Sequence, residues 1–116
     1  MSPRMLAAVK RRLVALAPDM VVFLGDLSEV RNDAEKMRNG RHGAGQLSGL
    51  DSPLGCYAVL GNHDWHDDVE AEARRAGPVA AAGFLEAAGF RVLQNHAVRP
   101  ARDDIWLAGL DSQQAF

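Results

Sequence analysis

The chain has 116 residues, 47% hydrophobic and 24% charged, with a formal net charge of −2. That is the composition of one ordinary soluble globular domain, large enough for a single core and too small for two. The charge balance shows no obviously basic face and so no sign of nucleic-acid or membrane-surface binding, and the single cysteine, Cys56, excludes an intramolecular disulfide and a thiolate zinc ribbon.

The first stretch, "SPRMLAAVKRRLVALAPD", predicts an amphipathic helix with Ser2 as N-cap, Pro3 at the first helical position and Pro18 as its end. Leu6, Val9, Leu13 and Leu16 fall at helical spacing on one side. Lys10, Arg11 and Arg12 interrupt the apolar stretch after Arg4, so it does not read as a signal peptide. The compartment stays open, with the cytoplasm mildly favoured. No apolar run approaches the ~20 residues that a membrane-spanning helix needs.

Met20–Leu24 is a continuous apolar run stopped by Gly25, the pattern of a strand buried on both faces in a parallel sheet. Asp33–Arg38 predicts a short helix, and Gly40–Gly49 a flexible connection, with Arg41 or His42 as candidates for a substrate mouth. Cys56–Leu60 is the second buried strand, again stopped by glycine, and Cys56 reads there as a small buried hydrophobe. Val69–Arg75 and Pro78–Ala88 read as two helical pieces parted at Gly77-Pro78, with Gly89 as a C-terminal cap. "FRVLQN" is a third strand and "IWLAGL" a later one, with "RPARDD" a turn between them. Helices alternating with short apolar strands predict an α/β fold with right-handed crossovers, in one domain over 1–116.

Two of these strands end alike, "VVFLGD" and "YAVLGN". Ligands of open α/β sheets bind beyond the carboxyl ends of the strands, so Asp26 and Asn62 on neighbouring parallel strands would share one rim. The glycine before each lets the backbone turn sharply and approach a ligand closely. An aspartate can bridge two cations ~3.5–4 Å apart, as two-metal phosphoryl-transfer sites require. Asn62 adds a neutral amide oxygen. His63 follows as a candidate proton donor or charge stabiliser, and Asp64 as the group that orients its ring.

"PDMVVFLGDL" followed by "PLGCYAVLGNHDW" resembles the second and third motif blocks of the calcineurin-like metallophosphoesterases. "FLEAAGFRVLQNHAVRP" and "IWLAGLDS" extend the likeness, which is closest to the bacterial YaeI-type and YkuE-type branch and covers all but about Arg31 to Gly45. The resemblance implies a metallophosphoesterase α/β sandwich and two divalent ions (manganese, iron or zinc). It implies that Asp26 bridges the metals, Asn62 binds one of them, and His63, partnered by Asp64, acts on the leaving group. The implied substrate is a phosphate-ester small molecule or a phospholipid-like compound.

The family's first block, Asp-x-His, and its later Gly-His-x-His are not matched. Asp64-Trp65-His66 fits Asp-x-His only as text, on the wrong loop. With two expected ligand positions present, the chain reads as an internal, incomplete domain of a longer enzyme, inactive or weakly active alone. Loss of a preceding strand would leave the edge of the Met20–Leu24 strand open to self-association.

Other residues take structural readings. His66, Asp67 and Asp68 would start a helix, Trp65 pack over the site's edge, and Trp106 and Phe84 lie in the core. His96 reads as solvated and Asp111 as a turn or cap residue with the rim as its alternative, while Ser28 and Glu29 would support Asp26. Two rival readings are a non-catalytic metallophosphoesterase-like scaffold for a protein partner and an unrelated nucleotide-binding α/β domain. The latter would want a glycine-rich turn opening a helix directly after a strand, which is lacking.

Overall fold

Helix α1 spans Pro3–Leu16 in the computed structural model, which describes residues 2–27, 33–100 and 104–113. The Ser2 hydroxyl accepts the Met5 N–H at 3.3 Å, capping the helix as the sequence predicts. The helix stops at Leu16 because a residue before proline is kept out of the helical region. Ala17 turns left-handed and returns its N–H to the Leu13 carbonyl. Only part of the predicted apolar face is used. Leu6 is fully buried and Leu13 packs at the core's margin, but Val9 and Leu16 are exposed, Leu16 at 73%. The main partner of α1 is another helix, α2 (Asp33–Gln46), so only a narrow stripe is covered.

Strands β1 (Val21–Phe23), β2 (Cys56–Ala58) and β3 (Arg91–Val92) form a parallel sheet in the order β1-β2-β3. Phe23 aligns with Ala58 and Ala58 with Val92. These residues belong to the sheet face packed beneath the helices, with Val21, Cys56 and Leu60. Phe23 meets Phe90 edge-on, ring centroids 6.3 Å apart. The architecture is mixed helix and strand with a parallel sheet, consistent with an α/β fold.

The opposite face of the sheet is covered by an element that crossover reasoning did not predict. Strands β4 (His96–Val98) and β5 (Leu107–Gly109) pair antiparallel and lay Val98 and Leu107 against Tyr57, Val59 and Leu93. Gly109 makes this close approach possible, since a Cβ there would lie 2.3 Å from the Leu93 Cβ. The hairpin covers this face only in part. The expectation that Met20–Leu24 is buried on both faces therefore fails for most of the second face: Met20 packs partly buried against this cluster, but Val22 is exposed and Leu24 is 77% exposed. Trp106 is also not core. It is 63% exposed on the hairpin side, with the Arg99 guanidinium 4.5 Å from its ring centroid. Of the "RPARDD" turn, residues 101–103 lie outside the described residues.

The glycine-rich span is helical. α2 runs over Asp33–Gln46, replacing the expected short helix and loop. Gly40 and Gly43 are where α2 meets its neighbours: a Cβ at Gly40 would sit 3.3 Å from the Phe84 ring, and one at Gly43 would sit 3.0 Å from Leu6 Cδ1. Tertiary packing of Ala44 and Leu47, both buried, outweighs the poor helix propensity of glycine. Helices α3 (Asn62–His66), α4 (Val69–Arg74) and α5 (Ala80–Ala87) follow β2, and Gly89, at φ 98°, closes α5. Phe84 packs partly buried against the core, close to its predicted place.

Candidate functional site

The turns after β1 and β2 touch. Gly25 and Asp26 both hold left-handed backbone, φ 88° and 55°, a reversal that glycine adopts freely and aspartate tolerates better than most residues. A Cβ on Gly25 would lie 2.1 Å from the Gly61 nitrogen, and one on Gly61 would lie 2.1 Å from Asp26 Oδ1. Only glycine fits at either place. Since β1 and β2 are parallel neighbours, Asp26 and Asn62 stand at adjacent carboxyl ends, with Asn62 the first residue of α3.

Two carboxylates brace the turns against each other. Asp64, at the third position of α3 and 5% exposed, accepts the Asp26 N–H at 2.8 Å and the Gly61 N–H at 2.9 Å on Oδ2, and the Leu27 N–H at 2.9 Å on Oδ1. Its bond to Gly61 is the back-reaching half of a capping box. In return, Asp26 Oδ1 accepts the His63 N–H at 3.1 Å. Burial pushes the Asp64 carboxyl above its ordinary value, against the opposite pull of the three amide donors.

This differs from the expected role of Asp64 as the group orienting His63. The buried amides take its oxygens. The carboxylate near the imidazole is Asp67, whose Oδ2 lies 3.9 Å from His63 Nδ1 one helical turn on, and the His63 side chain is half-exposed at 53%. Spacing i to i+4 on one helix is the sequence signal for this pair, but the sequence predicts a helix that starts only at His66–Asp68. Of the three residues read as a helix start, Asp68 alone serves as one. It caps α4, accepting from Ala71 N at 3.0 Å and Ala80 N at 2.8 Å. His66 ends α3, its Nδ1 3.7 Å from Glu72 Oε1.

The remaining candidates resolve as structural contacts. Trp65 is buried at the core under α3. The Arg41 guanidinium lies 5.5 Å from the Phe84 ring centroid, and His42 Nε2 lies 3.5 Å from Gln46 Nε2, both on α2. His96 is exposed, with Nδ1 beside the Gln94 backbone. Asp111 and Asn95 clasp β5 to the end of β3: Asp111 N–H donates to Asn95 Oδ1 at 2.9 Å, and Asn95 Nδ2 donates to Asp111 Oδ2 at 3.2 Å. Cys56 is buried, which pushes its thiol up. Ser28 and Glu29 lie outside the described residues.

Asp26 and Asn62 carry oxygen donors of the kind hard and borderline dications prefer, but they are two, and such ions take four to six ligands. Among the described residues no three His, Cys, Asp or Glu side chains gather into a metal-holding group. The described residues thus offer part of a coordination sphere and do not close one.

The chain is 35% identical over 103 residues to an uncharacterized metallophosphoesterase of Aquifex aeolicus, covering 89% of this chain and 34% of that protein. It is 40% identical over 63 residues to the UDP-2,3-diacylglucosamine pyrophosphatase LpxG of Chlamydia muridarum, covering 52% of this chain and 17% of that one. The LpxG of Chlamydia trachomatis gives 42% over 60 residues, with 52% and 17% covered. The chain thus spans between about a sixth and about a third of the length of the curated relatives it matches. No family model and no solved structure matches it. These likenesses support the metallophosphoesterase family broadly.

Removing the Asp64 carboxylate strands buried N–H groups from two turns. Asp64→Ala is expected to lower unfolding free energy by about 3 kcal/mol or more. Glu70→Ala, which loses an exposed ion pair with Arg74 one helical turn on, should change it by less than about 1 kcal/mol. Urea denaturation of the two variants checks this difference; equal losses would refute the brace.

Proposed function

We propose that this chain forms the part of a calcineurin-like metallophosphoesterase that supplies Asp26 and Asn62 to a site for two divalent ions, manganese, iron or zinc. The observation that carries the reading is the contact of the two strand-end turns, joined through Asp26 Oδ1 and the His63 N–H. That contact supports the reading because it joins the strand ends that carry Asp26 and Asn62, at the rim where α/β sheets bind ligands. The relatives' names support hydrolysis of phosphate esters, and our finer reading, from the motifs, is the YaeI-type and YkuE-type branch.

When bound, the ions would supply Lewis acidity and an activated water. The chain's own residues do the rest. Asp26 is held by its backbone N–H on Asp64, so one of its carboxylate oxygens is fixed by His63 N–H while the group stays at the rim. His63 projects a half-exposed imidazole from the start of α3, where a protonated ring can give its proton to a departing oxygen. Asp64 acts on the reaction only by positioning. The substrate is a phosphomonoester or phosphodiester, a small molecule or a phospholipid-like one; the second is supported by relatives whose name specifies a diacylated sugar nucleotide.

Hydrolysis of bis-p-nitrophenyl phosphate with excess manganese tests the reading. Weak, manganese-dependent turnover is expected, abolished by Asp26→Ala and lowered about 10²–10⁴-fold in kcat by His63→Gln with KM little changed. Turnover indifferent to Asp26→Ala would overturn it.

Self-association through the open side of β1 belongs to the same proposal. β1 pairs with β2 alone among the described strands, and Val22 and Leu24 lie exposed beside that edge. Sedimentation velocity should show a mass that rises with concentration, and Leu24→Lys should suppress the rise. A concentration-independent monomer would refute it.

A further inference from the structure

The chain-wide charge balance conceals a local segregation. α1, "PRMLAAVKRRLVAL", contains Arg4, Lys10, Arg11 and Arg12 and no acidic residue, so the rest of the chain is net acidic. Lys10 turns inward, where its ammonium donates to the Ser48 carbonyl. The three arginines are exposed. An apolar stripe adjoins them: Met5, Val9 and Leu16, at steps of four and seven, share one side of the helix, and each is exposed. Arg12, seven residues after Met5, borders this stripe on the side away from Leu6 and Leu13, and Arg4 and Arg11, themselves seven apart, lie about a quarter-turn further round on that side.

We infer that the outer face of α1 is a contact surface for an anionic lipid bilayer. Exposed aliphatic side chains beside a row of cations on one helix suit an interfacial helix: the apolar stripe enters the acyl boundary and the arginines, along its outer side, reach the lipid phosphates. No helix among the described residues is long and apolar enough to cross a membrane, so α1 would lie along the surface. Nucleic acid fits less well, because its phosphates reward the arginines but leave Met5, Val9 and Leu16 in water. The stripe is also unused by the core, which takes only Leu6 and Leu13 from this helix. This inference rests on α1 alone and is independent of the phosphoesterase reading.

Co-sedimentation of the 116-residue chain with vesicles tests it. Vesicles of phosphatidylcholine and phosphatidylglycerol in a two-to-one ratio should retain the protein at low salt and release it near ~1 M salt, where screening extends only ~3 Å. Pure phosphatidylcholine should retain far less. Each arginine changed to glutamine should weaken binding roughly five-fold, and Arg4→Gln/Arg11→Gln/Arg12→Gln together on the order of a hundred-fold. Val9→Ser/Leu16→Ser should weaken binding while preserving the melting temperature, since both side chains are exposed. Equal retention by neutral and anionic vesicles, full retention of the triple arginine variant, or tighter binding of duplex DNA than of anionic vesicles at the same salt would each overturn the inference.

Discussion

The Asp64 carboxylate sits where the ends of β1 and β2 meet, and three backbone N–H groups from two turns converge on it. A buried carboxylate is costly unless its oxygens are satisfied, and a buried N–H is costly unless it finds an acceptor. Here each solves the other's problem. The left-handed Gly25-Asp26 reversal leaves the Asp26 and Leu27 N–H groups without strand or helix partners, and Asp64 takes both. The same side chain holds Gly61 at the head of α3. From this one junction follow the placement of Asp26, the start of α3, and the presentation of His63 on that helix's exposed side.

The junction also explains why the two glycines cannot be replaced. Gly25 and Gly61 back onto each other at distances that no Cβ could occupy, and the Asp26 carboxylate fills the space a side chain at Gly61 would need. Strand-end glycine is thus a packing requirement between two turns as well as a conformational one. Parallel pairing of β1 and β2 makes the contact geometrically available, and the helices beneath the sheet hold the pair in register through Val21, Phe23, Cys56 and Ala58.

Features fixed by neighbours in sequence were readable before the structure. The Ser2 cap, the strand stops at Gly25 and Gly61, the Gly89 closure and the break near Pro78 each follow from local backbone chemistry. Features fixed across the fold were not. The three bonds of Asp64 include two that span 37 and 38 residues, whereas the sequence alone offers its neighbour His63 as the partner. The glycines of α2 suggest a loop in isolation and become helix only where Phe84 and Leu6 lie close by. The β4–β5 hairpin, the open half of the sheet's second face and the exposed Trp106 depend on which elements stack on which, and periodicity does not carry that. Motif resemblance reached the site further than periodicity did, because it marked Gly25-Asp26 and Gly61-Asn62-His63 together although 34 residues separate Asp26 from Gly61.

Whether the braced turns are the place where a metal ion enters can be read directly from amide resonances of the ¹⁵N-labelled chain during titration with manganese, whose paramagnetism broadens signals near it even when binding is weak. The account predicts that the amides of residues 25–27 and 61–63 broaden first and that Asp26→Ala removes the effect. Broadening that begins instead among the acidic residues Asp67, Asp68 and Glu70, or that persists unchanged in Asp26→Ala, would contradict it.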